Sequence, residues 1–160
     1  MRNTALVSLA IWLAGCQTVA SPDSAKSEVG LATQAWAVAF NSCDANRAAS
    51  LYDNEAVLWG TVAPAIIASH VGIRQYFERA CSTSPQPKVA LSEQVIRIYG
   101  DTAINSGTYT FTVFPGGQAR QFPARYSFTY RRKAGQWLIV DHHSSAAPAT
   151  PASGPAPGRQ

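Results

Sequence analysis

The feature that most constrains this chain is the spacing of turn signals in its second half. Gly100-Asp101, Pro115-Gly116-Gly117 and Lys133-Ala134-Gly135 divide that half into four runs rich in β-branched and aromatic side chains. Connections of two or three residues leave room only for hairpins, so each run must pair antiparallel with the next. The expected strands cover 89–99, 102–114, 119–132 and 137–144. The first half has a different period. Ala32, Trp36, Ala39, Phe40 and Cys43 recur at three- and four-residue spacing, which places them on one helical face beginning near Ser21-Pro22. Asp44 is suited to cap a short second helix reaching Leu51-Tyr52, and a brief apolar strand follows over 56–61. Ser69 is suited to cap a third helix carrying Ile73, Tyr76, Phe77 and Ala80. Helices followed by an antiparallel meander give an α+β fold with the helices packed on the sheet. No internal repeat is evident.

Hairpin register shows which side chains are neighbours. A Gly100-Asp101 turn pairs Tyr99 with Thr102 and sets Tyr109 and Phe111 on the face holding Ile96 and Ile98. A three-residue loop over 133–135 sets Arg125 opposite His143 and Ser127 opposite Asp141. One face of the last two strands then carries Arg125, Ser127, Asp141 and His143. The other carries Tyr126, Phe128 and Tyr130 with Leu138, Val140 and His142.

The two ends of the chain are not part of this pattern. Arg2 precedes an apolar run from Ala5 to Ala14, too short to span a bilayer core, which takes roughly 20 residues as helix. It fits the apolar region of an export signal. The run closes on Leu13-Ala14-Gly15-Cys16, which resembles the lipobox of bacterial lipoproteins, where the cysteine is acylated and the peptide is cut before it. That resemblance implies residues 1–15 as signal peptide, lipid on Cys16 and a tether over 16–23. Gln17 after the cysteine implies the outer membrane facing the periplasm. The alternative is ordinary cleavage after Thr18-Val19-Ala20, giving a soluble exported protein. Residues 146–160 are mainly Pro, Ala, Ser, Thr and Gly, and too poor in apolar surface to offset chain entropy, so a disordered tail is expected there. The domain proper is 24–145.

The net charge of +4 is mild and its arginines are scattered, so no nucleic-acid partner is expected. With Cys16 lipidated, Cys43 and Cys81 form an even pair in an oxidising compartment. Each follows an expected helix. They either bridge, which on the chain-entropy model is worth about 4 kcal/mol, or stand as two separate buried thiols.

The stretch 56–61, Tyr76-Phe77, Tyr99-Gly100-Asp101, the strand from Arg125 to Arg132 and the ending Gly135-Gln136-Trp137 to His143-Ser144-Ser145 resemble the nuclear transport factor 2-like superfamily. Within it, the chain is similar to the branch of the calcium/calmodulin-dependent protein kinase II association domain. Nothing of a kinase is present, since neither a Gly-rich loop nor a His-Arg-Asp motif occurs. The resemblance implies a cone-like sheet wrapped on its helices, a pocket inside the cone, and self-association as a homodimer or larger homo-oligomer. It also implies pocket arginines, for which Arg125 is the matching position and Arg97 a second. Other relatives are cyclases, dehydratases and isomerases that use Asp or His for proton transfer. No cofactor is expected, and no dinucleotide fingerprint appears.

Two chemistries follow. Asp141 and His143 are two apart on a strand and project from one face, so the carboxylate can orient the imidazole as a general base. The plainer reading is a hydrogen-bonded sheet pair. Arg125 inside a cone must have a partner, either Asp141 or Glu93 or the carboxylate or phosphate of a small ligand. Trp59 and Tyr109 are candidate aromatic walls of that pocket or ordinary core. His142 and His143 point to opposite faces, so no metal site is expected. The first reading is therefore a lipid-anchored, self-associating domain with a small ligand in its pocket, an anion being one of the candidates. The alternatives are a cofactor-independent lyase or isomerase of the same fold and a purely structural oligomer.

Overall fold

Helix α1 (Pro22–Asn41) begins where Ser21 accepts a hydrogen bond from the Ser24 N–H at 3.2 Å, with proline tolerated in the first turn. The structure, a computed structural model, describes residues 21–148. The signal peptide, Cys16 and most of the tail lie outside the described residues. Helix α2 (Ala45–Ser50) is capped by Asp44 and α3 (His70–Ala80) by Ser69, as their side-chain chemistry predicts. None of the described helices is long and apolar enough to cross a membrane.

The expected meander is present as β2 (Lys88–Tyr99), β3 (Thr102–Val113), β4 (Arg120–Lys133) and β5 (Gln136–Ala146). The segment expected as a brief strand is longer, β1 (Tyr52–Trp59), and it joins the same sheet parallel to β5, giving the order β1-β5-β4-β3-β2. The helices pack on one face of this sheet, and among the described residues the opposite face, with Arg97, Arg125, Asp141 and His143, is exposed. Helix α1 starts at the expected Ser21-Pro22, while β1 starts four residues earlier than expected and β5 continues to Ala146, with the Ala147 N–H bonded to the Pro123 carbonyl at 2.9 Å.

Cys43 and Cys81 are joined as a disulfide with a Cα–Cα distance of 5.6 Å, inside the range a bridge accepts. It links the residue just past α1 to the C-cap of α3. At the centre of the core is Trp36, whose ring packs against Phe40, Phe77, Tyr109, Phe128 and His142 at centroid distances of 5.2–6.4 Å.

The β2–β3 register is the expected one, Tyr99 opposite Thr102, with Gly100 at φ 61° supplying the left-handed turn position. The β4–β5 register is not. Ala134 and Gly135 both take positive φ and form a two-residue turn, so Lys133 pairs with Gln136. Val140 is then inserted as a bulge between the Tyr130–Ile139 and Thr129–Asp141 pairs. These two changes place Arg125 opposite Ser145 and Ser127 opposite His143. Before the bulge Trp137 and Ile139 face the core; after it His142 and Ser144 do.

Candidate functional site

A cavity of about 420 Å³ lies between α1, α3 and the helix-covered face of β3, β4 and β5. Its walls are apolar and largely aromatic: Trp36 and Phe40 from α1, Phe77 and Ala80 from α3, and Tyr109, Phe111 and Phe122 from the sheet. Alternation along each strand aims these rings inward, and the Val140 bulge keeps His142 and Ser144 on that same side. Thr61, in the loop after β1, completes a polar floor with Tyr109, His142 and Ser144.

The floor is one chain of hydrogen bonds. Trp36 Nε1–H donates to the Tyr52 hydroxyl at 3.0 Å, and that hydroxyl lies 2.8 Å from His142 Nδ1. Indole N–H can only donate, so the buried Tyr52 hydroxyl accepts it and keeps its own proton paired by giving it to Nδ1. His142 therefore carries its proton on Nε2, which faces the Tyr109 hydroxyl at 3.5 Å. Tyr109 donates to Ser144 Oγ at 2.5 Å, and Ser144 bonds Thr61.

His142 is 3% exposed and its ring lies 4.1 Å from that of Phe128. Burial, with a smaller push from the adjacent His143, lowers its pKa to about 3, so the imidazole is neutral at physiological pH. Burial raises the pKa of Tyr52 and Tyr109 well above the ordinary phenol value, so both stay protonated donors. The site holds shaped, uncharged hydrogen-bonding groups in an apolar enclosure.

The residues singled out in the sequence divide between the two faces of the sheet. Tyr109 lines the cavity. Arg125, Asp141, His143 and Trp59 are exposed, on the open face. Arg125 was expected inside the cone; the β4 alternation, with Ala124 and Tyr126 buried on either side of it, turns it outward. Its Nε–H reaches Ser145 Oγ at 3.4 Å, and it shares a depression with Ser127 and His143. Arg97 donates to Ser106 Oγ at 3.1 Å beside that depression. The grouping of Arg125, Ser127, Asp141 and His143 on one face therefore holds, but that face is the outer one. His142, Ser144, Thr61, Tyr52 and Trp36 were not singled out as site residues. Strand alternation did set His142 among Tyr126, Phe128 and Tyr130, which is where it sits.

Comparison with known proteins adds the decisive observation. Residues 25–148 match the model of the calcium/calmodulin dependent protein kinase II association domain. The chain belongs to that family. A protein from Xanthomonas campestris described as such an association domain is 34% identical, with a TM-score of 0.71 over 77% of this chain and 88% of that one. A hub homology domain from Chlamydomonas reinhardtii superposes with a TM-score of 0.66 at 20% identity, over 78% of this chain and 99% of its own. A Streptomyces avermitilis protein described as a dehydratase of the nuclear transport factor 2-like family gives 0.73 at 19% identity, over 81% and 100%. At such identities the last two show the fold alone. No curated protein matches the chain. The association-domain family and its α+β fold are thus those the sequence resembled.

Proposed function

We propose that this association domain is exported, anchored by lipid on Cys16, self-associating, and a carrier of a small molecule in its internal cavity. The observation that carries the reading is the cavity itself: about 420 Å³, apolar-walled, with a hydrogen-bonded floor. A space of this size lies within the range of small-molecule sites, and it opens to solvent on one side, so a ligand can enter it. Self-association is supported by membership of the association-domain family and by the fold shared with a hub homology domain. The lipid anchor is supported by Leu13-Ala14-Gly15-Cys16 at the end of a short apolar run.

Native mass spectrometry of the full chain tests the first two parts together. The expected species is a dimer or larger assembly with a bound mass that leaves on denaturation. A monomer without added mass, at high protein concentration, counts against both. For the anchor, Cys16→Ser is expected to abolish the added lipid mass and to leave the signal segment uncut. If the variant shows the same N-terminus and added mass as the native chain, the lipid assignment is wrong.

The alternative, proton transfer by His143 with Asp141 as orienter, puts the chemistry on the open face, where both side chains are exposed. No observed enclosure there excludes water from a reacting group, so the cavity reading is preferred.

A further inference from the structure

The cavity combines three properties that together specify the kind of molecule it accepts. None of the side chains lining it is Asp, Glu, Lys or Arg. Its walls are largely aromatic: Tyr76, Phe111 and Phe122 are the more accessible rings, and behind them the buried Trp36 and Tyr109 stack on each other at 5.8 Å. Its floor presents donors held only by long or shared hydrogen bonds. His142 Nε2–H has only the 3.5 Å contact to Tyr109, at the limit of a hydrogen bond, and the Tyr109 proton is already committed to Ser144. Ser144, which accepts from Tyr109, can donate to Thr61, and the Thr61 hydroxyl in turn reaches only Tyr109, a partner an entering acceptor can replace.

We infer that the cavity binds an uncharged, flat-ring molecule with a carbonyl oxygen, which accepts hydrogen bonds from His142 Nε2–H and the Thr61 hydroxyl. This rests on the proposal that the cavity is a ligand site and names what that ligand is. An anion would lie among aromatic walls without a countercharge, and desolvating it there is costly. The arginines expected to pair with one, Arg97 and Arg125, are exposed on the opposite face of the sheet, and Arg79, exposed beside Tyr76, does not line the cavity. A cation would be drawn to the aromatic faces, but it would meet N–H and O–H dipoles with their positive ends toward it. A neutral carbonyl compound satisfies both the walls and the floor. The Trp36–Tyr52 pair fixes the direction of the relay by filling Nδ1, which leaves Nε2–H as the donor whatever enters.

The test uses the purified full chain and three naphthalene probes at pH 7. They are the neutral ketone 6-propionyl-2-(dimethylamino)naphthalene, read by its own emission, with 2-ethylnaphthalene and 2-naphthoate as competitors. The ketone is expected to bind with blue-shifted emission, roughly fivefold or more tighter than the hydrocarbon, the gain of one hydrogen bond. The carboxylate is expected to compete at least about tenfold more weakly than the ketone. His142→Phe should remove the ketone's advantage and leave hydrocarbon affinity in place. Should that variant not fold, Thr61→Val, at a half-buried loop position, should reduce the same advantage. Equal binding of ketone and hydrocarbon, or tighter binding of the naphthoate, overturns the ligand class and leaves the cavity as a ligand site. If none of the three binds up to its solubility limit, the cavity reading falls with it.

Discussion

A neutral imidazole held at the centre of an aromatic core makes stability depend on pH. The native pKa of His142 is about 3, whereas in the unfolded chain it returns to about 6.5. Between those values the unfolded state binds a proton that the native state refuses, so stability falls as pH falls through that window and is fully recovered above it. The slope contributed by this one group is up to about 1.4 kcal/mol per pH unit. Asp53 works in the same direction at lower pH. Its hydrogen bond and ion pair with Lys133 hold its carboxyl below the usual range, and that contribution is lost as pH falls through the lowered value. Urea unfolding between pH 4.5 and 6.5 therefore isolates the histidine. The native chain is expected to lose stability steadily toward pH 4.5, and His142→Asn to show a much flatter dependence. Equal slopes in the two proteins would show that the imidazole is not buried as described.

At the scale of elements, two bulges decide what faces what. In β2 the pairing shifts between Leu91 and Gln94, and the carbonyl of Glu93 comes down over Gly107 on β3. A methyl group at Gly107 would sit 2.2 Å from that carbonyl oxygen and 2.6 Å from the Tyr126 hydroxyl. Gly107→Ala is thus expected to destabilise by about 2 kcal/mol, the usual scale for forcing extra volume into a packed site, measured by denaturant unfolding. The second bulge, at Val140, explains what the sequence did and did not reveal. Caps at Ser21, Asp44 and Ser69 and the glycine turns are local chemistry, so the helices and hairpins could be read directly. The run Trp137-Leu138-Ile139-Val140 is apolar on both faces, so its alternation carries no mark of an inserted residue. Nor could the two faces be told apart by polarity, since His142 and Ser144 face inward while Arg125, Asp141 and His143 face out. The resemblance alone therefore places the arginine in the pocket, where the structure has a histidine. The parallel pairing of β1 with β5 was beyond reach for another reason: partners so distant in sequence leave no spacing signal.

For the molecule as a whole, the sheet supplies one side of the cavity and helices α1 and α3 supply the other, with the disulfide clipping the C-terminal ends of those two helices together. Removing it by Cys43→Ser with Cys81→Ser is expected to lower unfolding stability by about 2–4 kcal/mol, the range for a native bridge closing a loop of this length. Thiol-probe labelling of the unreduced native chain gives a direct check, since neither cysteine should react. The position of the bridge matters as much as its strength. Phe40 and Ala80, both cavity-lining, stand within one helical turn of the two cysteines. The covalent clip therefore fixes the aperture between the helices in the way a rivet fixes the jaws of a clamp. A chain that folded without it would keep its sheet and its hydrogen-bonded floor. It would be free to splay the opposite wall, and the calibre of the chamber would then depend on what filled it.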